Sequence, residues 1–339
     1  VQTAYAELLE QLLAVEARRS IGHAPGNFVS KVIKGREYLY FQYSTPGTGV
    51  RQAYVGARSA ALDAVIARFE DERRAAREDR AEILALAALL RAGGAGVTDA
   101  ASARVLAALA SAGVFKLGGV LVGTQAFVVL GNMLGVRWTG AHARTDDIDI
   151  AGAKNLEVAV PELAADVPAA LESLAMGFLP VPGFSASSPS TSFKVRGKGL
   201  RVDLLTPGRT RTSAPVVIKR FQAAATPLPY LDFVLEDAQP AAVIDGGAVL
   251  VSVPAPARFA LHKLLVASDR PSAMHVKIEK DLLQAAMLVD ALEELRPGEL
   301  RATWQSARGR GWTKRVREAA TRLERRSPET YARLAAALA

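Results

Sequence analysis

The segment Asp147-Ile148-Asp149-Ile150 sets the strongest limit on how this chain can fold. Side chains alternate faces along a strand, so the two isoleucines point one way and the two acids the other. Such a stretch needs a sheet with one face packed into apolar core and the other open to charge. The aspartates then stand on one face, roughly 7 Å apart along the backbone. A second alternating run, Arg201-Val202-Asp203-Leu204-Leu205, repeats the pattern around Asp203. With Asp146 included, three acids fall within four residues beside a buried strand. Desolvation and repulsion disfavour that crowding unless a cation compensates. Hard divalent cations take oxygen ligands, so Asp147, Asp149 and Asp203 are the candidate metal ligands, with Mg²⁺ or Mn²⁺ as the expected ion. Three carboxylates on neighbouring strands suit two-metal phosphoryl transfer, and Asp203 is also a candidate general base. A D-x-D taken alone is more often a solvated strand edge, so the neighbouring elements decide its meaning.

Around this centre the chain divides by pattern. Residues 3 to 19 have helical periodicity. From 27 to 55, β-forming residues alternate with the turn signals Lys34-Gly35 and Pro46-Gly47-Thr48-Gly49, which predicts a small antiparallel sheet. Residues 57 to 91 read as a long helix stopped by Gly93-Gly94, and Asp99 is a good N-cap for the next. Gly119-Val120-Leu121-Val122 is a short buried-strand pattern, followed by Gly123-Thr124 and a helix ending at Gly135. Thr145 to Ile150 predicts a strand and residues 162 to 176 a helix. Phe193 to Val195 and Leu200 to Leu205 predict a hairpin across Gly197-Lys198-Gly199, and two more strands flank Gly246-Gly247. From Pro254 onward the pattern is helical. The expected units are 1–95, a helical and β-meander unit; 96–253, an α/β core; and 254–339, a helical domain.

Gly123-Thr124 is the second candidate feature. A small residue at a strand-to-helix turn lets backbone N–H groups approach a phosphate, whose charge the helix N-terminus favours. An ordinary βα turn with Thr as N-cap is the alternative, and Gly118-Gly119 is a rival position.

Composition narrows the partners. Lys+Arg exceeds Asp+Glu by 42 to 34, a net charge of +8 that suits an anionic ligand such as nucleotide or RNA. There is no cysteine, so disulfides and thiolate metal sites are excluded and a reducing cytoplasm is expected. No uninterrupted apolar stretch is long enough for a membrane span. The first residue is Val, and the opening segment reads as an amphipathic helix. The four histidines show no zinc-type spacing, and no G-x-S-x-G elbow is present.

A strand ending in Gly-Thr, a helix, a D-x-D strand and a third Asp on a later strand together resemble the DNA-polymerase-β-like nucleotidyltransferase superfamily. More narrowly, LVGTQAFVVLGNMLGVRW and ARTDDIDIA resemble a bacterial group of predicted nucleotidyltransferases and the nucleotidyltransferase toxins of abortive-infection and toxin–antitoxin systems. Arg144, Thr145, Asp147 and Asp149 match the toxins' signature, and VPAPARFALHKLLVASDR with EKDLLQAAMLVDAL resembles their later helical segment. The similarity covers about residues 115 to 292, and the spacing from Gly123 to Asp147 is longer than the superfamily's usual one. The resemblance implies an α/β polymerase-β-like core, a short mixed sheet with helices packed on one side. It implies a triphosphate bound by Gly123, Thr124, Arg144, Thr145 and Lys263, with Arg270, Lys280 and Asp281 in support. From the residues alone, Lys263 reads as a solvated lysine, and Arg144 fits an ion pair with Asp146 equally well.

The expected reaction is transfer of a nucleoside monophosphate from a nucleoside triphosphate to an acceptor, with release of pyrophosphate. RNA, with tRNA among the candidates, is the leading acceptor, and an antitoxin or another protein is a candidate partner. A protein or small-molecule acceptor is the alternative within the class, and a non-catalytic nucleotide- or nucleic-acid-binding protein lies outside it. Two basic regions suggest nucleic-acid contact. Between 301 and 339, ten Lys/Arg face three Glu, with Trp304 and Trp312 among them. In the N-terminal sheet, Lys31, Lys34, Arg36 and Arg51 interleave with Tyr38, Tyr40 and Tyr43. Strand alternation places Tyr38, Tyr40 and Gln42 on one face and Leu39, Phe41 and Tyr43 on the other. A solvated face over core aromatics is the bland reading of the same residues.

Overall fold

A computed structural model describes residues 2–24, 26–45, 49–138, 140, 145–153, 164–183, 188–209 and 214–339. The chain opens with helix α1 (Gln2–Ala17), then a meander of β1 (Asn27–Ile33), β2 (Arg36–Thr45) and β3 (Gly49–Ala57), then helix α2 (Ala60–Ala92). Lys34 and Gly35 both take positive φ at the β1–β2 connection, as a tight hairpin of right-twisted strands requires. Ser59 caps α2, its side chain accepting from Leu62 N–H. At 33 residues α2 is about 50 Å long. Its first half carries the small sheet: Phe28 and Phe41 meet the buried Phe69 edge-on, at 5.1 and 5.8 Å between ring centroids. Its second half buries Leu86, Ala87 and Leu90 against Tyr5, Leu8 and Leu12 of α1 and against Ala242 and Ile244. From Phe69 to Leu86 the helix rises about 25 Å, so the sheet stands on an arm that the body holds by its other end.

The body follows with α3 (Ala100–Ser111), β4 (Val120–Val122), α4 (Gly123–Leu134), β5 (Asp147–Ala151), α5 (Val167–Glu172), β6 (Phe178–Pro180), β7 (Ser192–Val195) and β8 (Arg201–Pro207). Next come β9 (Val216–Ile218), β10 (Ala223–Leu228), α6 (Leu231–Leu235) and the hairpin of β11 (Gln239–Ile244) and β12 (Ala248–Val253). Five helices close the chain: α7 (Pro256–Asp269), α8 (His275–Leu295), α9 (Glu299–Ala307), α10 (Thr313–Glu324) and α11 (Pro328–Ala337). No described helix is long and apolar enough to cross a membrane.

The main sheet is mixed, with path β4-β5-β8-β10-β9, β7 beside β8 and β6 beside β7. β5 and β10 run parallel to β8, while β4–β5, β7–β8 and β10–β9 are antiparallel. Ile148, Ile150, Val202 and Leu204 point into the main core with α4, whose residues Phe127, Val129 and Leu130 are fully buried. The expectation of helices on one side needs correction. Val120, Val122 and Ala151, on the opposite face, are covered by Leu231 and Val234 of α6.

Local capping follows the sequence where the signal is local. Asp99 accepts from Ala101 and Ser102 N–H at 3.0 Å, and Gly135 ends α4 at φ 71°. Gly131 serves another purpose: the Trp138 ring lies over it, stacked on Phe127 at 4.6 Å and donating to the Phe127 carbonyl. Two further expectations change. Of residues 162 to 176, only Val167–Glu172 are helical among the described ones. Trp304 and Trp312 offer no stacking surface. Trp304 is buried and donates to the Leu338 carbonyl, and Trp312 packs on Phe233.

Tyr5 ties α1 to β11, its hydroxyl accepting the Ala242 N–H at 2.9 Å inside the second core. Tyr5→Phe keeps the ring and strands that buried N–H. We expect a loss of about 1–3 kcal/mol in denaturant unfolding. No loss would mean that water or another acceptor replaces the hydroxyl.

Candidate active site

Register assembles the acidic centre. Asp149 lies opposite Asp203 in the parallel β5–β8 pair, and Val122 opposite Asp149 in the antiparallel β4–β5 pair. Asp147, Asp149 and Asp203 therefore share the sheet face away from Ile148, Ile150, Val202 and Leu204. The long connection after Gly123 does not separate the two elements. A Cβ built on Gly123 would lie 2.1 Å from Asp149 Oδ2, and Gly123 takes φ +68°, so two independent constraints favour glycine here.

α4 begins at Gly123 with Val122 as N-cap and no side-chain capping bond. Thr124 is buried inside the first turn and is not the cap. Its neighbour Gln125 binds this turn to the approach of β5, accepting from Thr98 Oγ1 at 3.2 Å and donating to the Thr145 carbonyl at 3.4 Å. Thr145 Oγ1 accepts the Asp147 N–H at 3.1 Å, which shapes the start of the acidic strand. Arg144 lies outside the described residues.

Asp147 is exposed, and Asp149 is half-buried on the floor of the cleft. Burial, reinforced by the Asp203 and Asp147 carboxylates, pushes the Asp149 carboxyl up to about 7, against the pull of Lys263 and Lys277. Asp203 is held on one side only. Its Oδ1 accepts from Arg201 Nε at 2.8 Å and from the Ser192 hydroxyl, and Arg201 Nη2 also donates to Ser192 Oγ at 2.9 Å.

Opposite the acids stand cations from α7 and α8. Lys263 is buried, which corrects the reading of a solvated lysine. Its Nζ donates to Asp281 Oδ1 at 2.9 Å, and Arg270 Nε to Oδ2 at 2.7 Å. Burial would raise the Asp281 carboxyl, but Lys263 and Arg270 outweigh it and hold the group below its ordinary range. Lys280 is pulled below the usual lysine range, chiefly by burial and then by Lys263. Asp281, Asp147 and Asp149 act the other way. A cleft of about 180 Å³ lies between the two sets, lined by Gly123, Asp149, Phe259, Lys263, Arg270 and Asp281 among others. Beyond Leu205 it gives way to a second hollow beside Thr191, Ser192, Arg201 and Asp203.

The donor set suits a hard cation: three carboxylates share one face, and Asp149 is destabilised as an anion by the other two. Among the described residues, no three acidic or histidine side chains yet enclose an ion-sized point. Lys34, Arg36, Tyr38 and Tyr40 lie elsewhere, on the N-terminal arm. The sequence reading missed Ser192, Arg201, Lys277 and the cleft-lining His262. Only the spacing of Arg201 two residues before Asp203 carried a local signal.

Residues 100–309 match the nucleotidyltransferase family. That span is more than half of the chain and contains both the acidic centre and its cationic partners, so the chain belongs to this family. No curated protein sequence matches it. An antigenic nucleotidyltransferase-like protein from Paracoccidioides brasiliensis, known by crystal structure, is similar with a TM-score of 0.40 and 14% identity, over 70% of this chain and 94% of that one.

The raised Asp149 carboxyl has a signed consequence for stability. Between the unfolded value near 3.8 and the folded value of about 7, the folded chain keeps a proton that the unfolded chain releases. Asp149 therefore costs the metal-free protein stability as pH rises through that window. Asp149→Asn should gain in thermal midpoint over wild type from pH 5 to 7 and hold a constant lead above, in buffer with chelator. A lead that is flat or shrinks with pH would contradict the assigned burial.

Proposed function

We propose that the chain transfers a nucleoside monophosphate from a nucleoside triphosphate to an acceptor hydroxyl. The observation that carries this reading is the division of charge at one cleft: Asp149, flanked on its sheet face by Asp147 and Asp203, meets Lys263 and Arg270 across it, and Lys277 and Lys280 lie close enough to act on the acids. Asp147, Asp149 and Asp203 would hold Mg²⁺ or Mn²⁺. Such ions supply charge neutralisation for the triphosphate and lower the pKa of an oxygen nucleophile. Gly123 lets the backbone at the start of α4 approach a phosphate, and the unpaired N–H groups of that turn favour its charge. Thr124 and Thr145 shape this corner, and the cations of α7 and α8 receive the rest of the triphosphate. Asp281 fixes Lys263 and Arg270 in place and leaves that pair one positive charge in excess. Asp203, with Oδ2 free of hydrogen bonds among the described residues, takes the proton of the acceptor hydroxyl. The acceptor oxygen bonds the α-phosphorus as the bond to the bridging oxygen breaks, and pyrophosphate leaves.

RNA is the proposed acceptor, on the similarity to the nucleotidyltransferase toxins and on the basic charge of the chain. A cognate antitoxin goes with that similarity as a proposal, and a cytoplasmic setting is proposed from the absence of cysteine.

Incubation with labelled nucleoside triphosphates, Mg²⁺ and either total RNA or total protein tests this reading. We expect label on RNA. Asp147→Asn and Asp149→Asn should each lower transfer by several powers of ten, because charge stabilisation of this kind is worth several kcal/mol. Label on protein would reassign the acceptor. Near-normal transfer by either variant would overturn the site.

A further inference from the structure

The two basic regions of the chain turn out to differ in what their charges do. Eight of the nine C-terminal arginines are engaged in contacts within the body. Arg310 pairs with Glu236 and Asp232, Arg315 with Asp269, Arg326 with Glu279 and Arg333 with Asp290. Arg301, Arg308, Arg317 and Arg322 donate to backbone carbonyls. In the N-terminal sheet the balance is the opposite. Its strands carry Lys31, Arg36 and Arg51, with Lys34 in the β1–β2 turn, against one acid, Glu37, and Arg58 takes that acid at 2.9 Å; the register puts Lys31 and Arg36 on the outward face and Arg51, opposite Tyr43, on the other. None of those four cations forms an ion pair among the described residues.

The sheet also has two unlike faces. Phe28, Leu39 and Phe41 turn toward α2 and pack at Phe69. The register places Lys31 beside Tyr38, Val29 beside Tyr40, and Tyr40 beside Tyr54 on the other face. Tyr54, 60% exposed, meets Tyr40 at 5.5 Å and Tyr38 at 6.2 Å between ring centroids. Lys31 Nζ lies 4.8 Å from the centre of the Tyr40 ring, which leaves Tyr54 as the open ring with the half-buried Tyr38 beside it. Gln42 and Gln52 extend the same face with amide groups, joined at 2.7 Å. This outward face bears no carboxylate.

We propose that the outward face of the β1–β3 sheet is a landing surface for single-stranded RNA. Aromatic rings on an open sheet stack with unpaired bases, and the cations along the strands meet the phosphates. Charge complementarity selects this occupant: the face carries Lys31 and Arg36, no acid and open aromatic rings, whereas in the basic C-terminal helices eight of the nine arginines are committed to internal contacts. The arm holds the face about 25 Å along α2 from the body, so the strand is gripped at a distance from the acidic cleft. The inference deepens the RNA-acceptor reading above, and its binding step is measured without transfer.

Fluorescence anisotropy with a labelled unstructured oligoribonucleotide, the full chain and no nucleoside triphosphate tests it. Tyr54→Ala, at an exposed position, should weaken binding by roughly 5- to 150-fold, the loss of one base stack. Lys31→Ala with Arg36→Ala should flatten the slope of log K against log salt by about 1.4, at about 0.7 for each phosphate contact on a single strand. Lys314→Ala, an exposed cation of the C-terminal helices, should bind as wild type does, and a duplex of the same sequence should bind more weakly. Circular dichroism of each variant confirms that the sheet is intact. RNA affinity unchanged by Tyr54→Ala, or a surface that prefers the duplex, would overturn the inference while leaving nucleotide transfer untouched. Loss of transfer to a mononucleotide acceptor, with RNA binding intact, would instead strike the catalytic reading alone.

Discussion

Everything at the cleft depends on the pairing of β5 with β8. That register sets Asp149 directly across from Asp203, on strands about 4.8 Å apart, and fixes both by burying Ile148, Ile150, Val202 and Leu204 behind them. Slipping the register by one residue would turn isoleucines to solvent and aspartates into core, so the apolar face enforces the position of the acids. β4 then leaves Gly123 pressed against Asp149, where a methyl group would overlap the carboxylate. The fold thus concentrates negative charge by packing energy, at a point where electrostatics alone would disperse it.

Two sets of groups answer that concentration. On the sheet, Arg201 and Ser192 hold one oxygen of Asp203, so the acid furthest along the face is already partly neutralised. Across the cleft, Lys263 and Arg270 share the buried Asp281, and Lys277 and Lys280 stand in the first turns of α8. A buried ion cluster of this kind is weak support for stability but a firm way to fix direction. Here it aims cations at the sheet face that carries the acids.

The acid pattern was legible because it is local. D-I-D-I and V-D-L write their own strand alternation, Gly197 its hairpin, Asp99 its cap and Gly135 its helix stop. The contacts that finish the site were not legible, because they join distant segments. Asp281 lies 18 residues from Lys263 and meets it only after α7 and α8 pack. Ser192 reaches Asp203 through the register of β7, and Trp138 covers Gly131 through a turn with no local signature. Charge counting misled at the C terminus for the same reason. Ten cations in a short stretch look like a ligand surface until their partners at Glu236, Asp269, Glu279 and Asp290 are in place.

The central claim is that Asp147, Asp149 and Asp203 form a metal-dependent nucleotide site. Calorimetric titration of the full chain with a non-hydrolysable nucleoside triphosphate, with Mn²⁺ or with chelator, tests it most directly. Saturable binding that requires Mn²⁺ in wild type and is lost in Asp149→Asn, with folding intact, is the predicted result. Binding that is equal in chelator and Mn²⁺, or equal in wild type and Asp149→Asn, would contradict it.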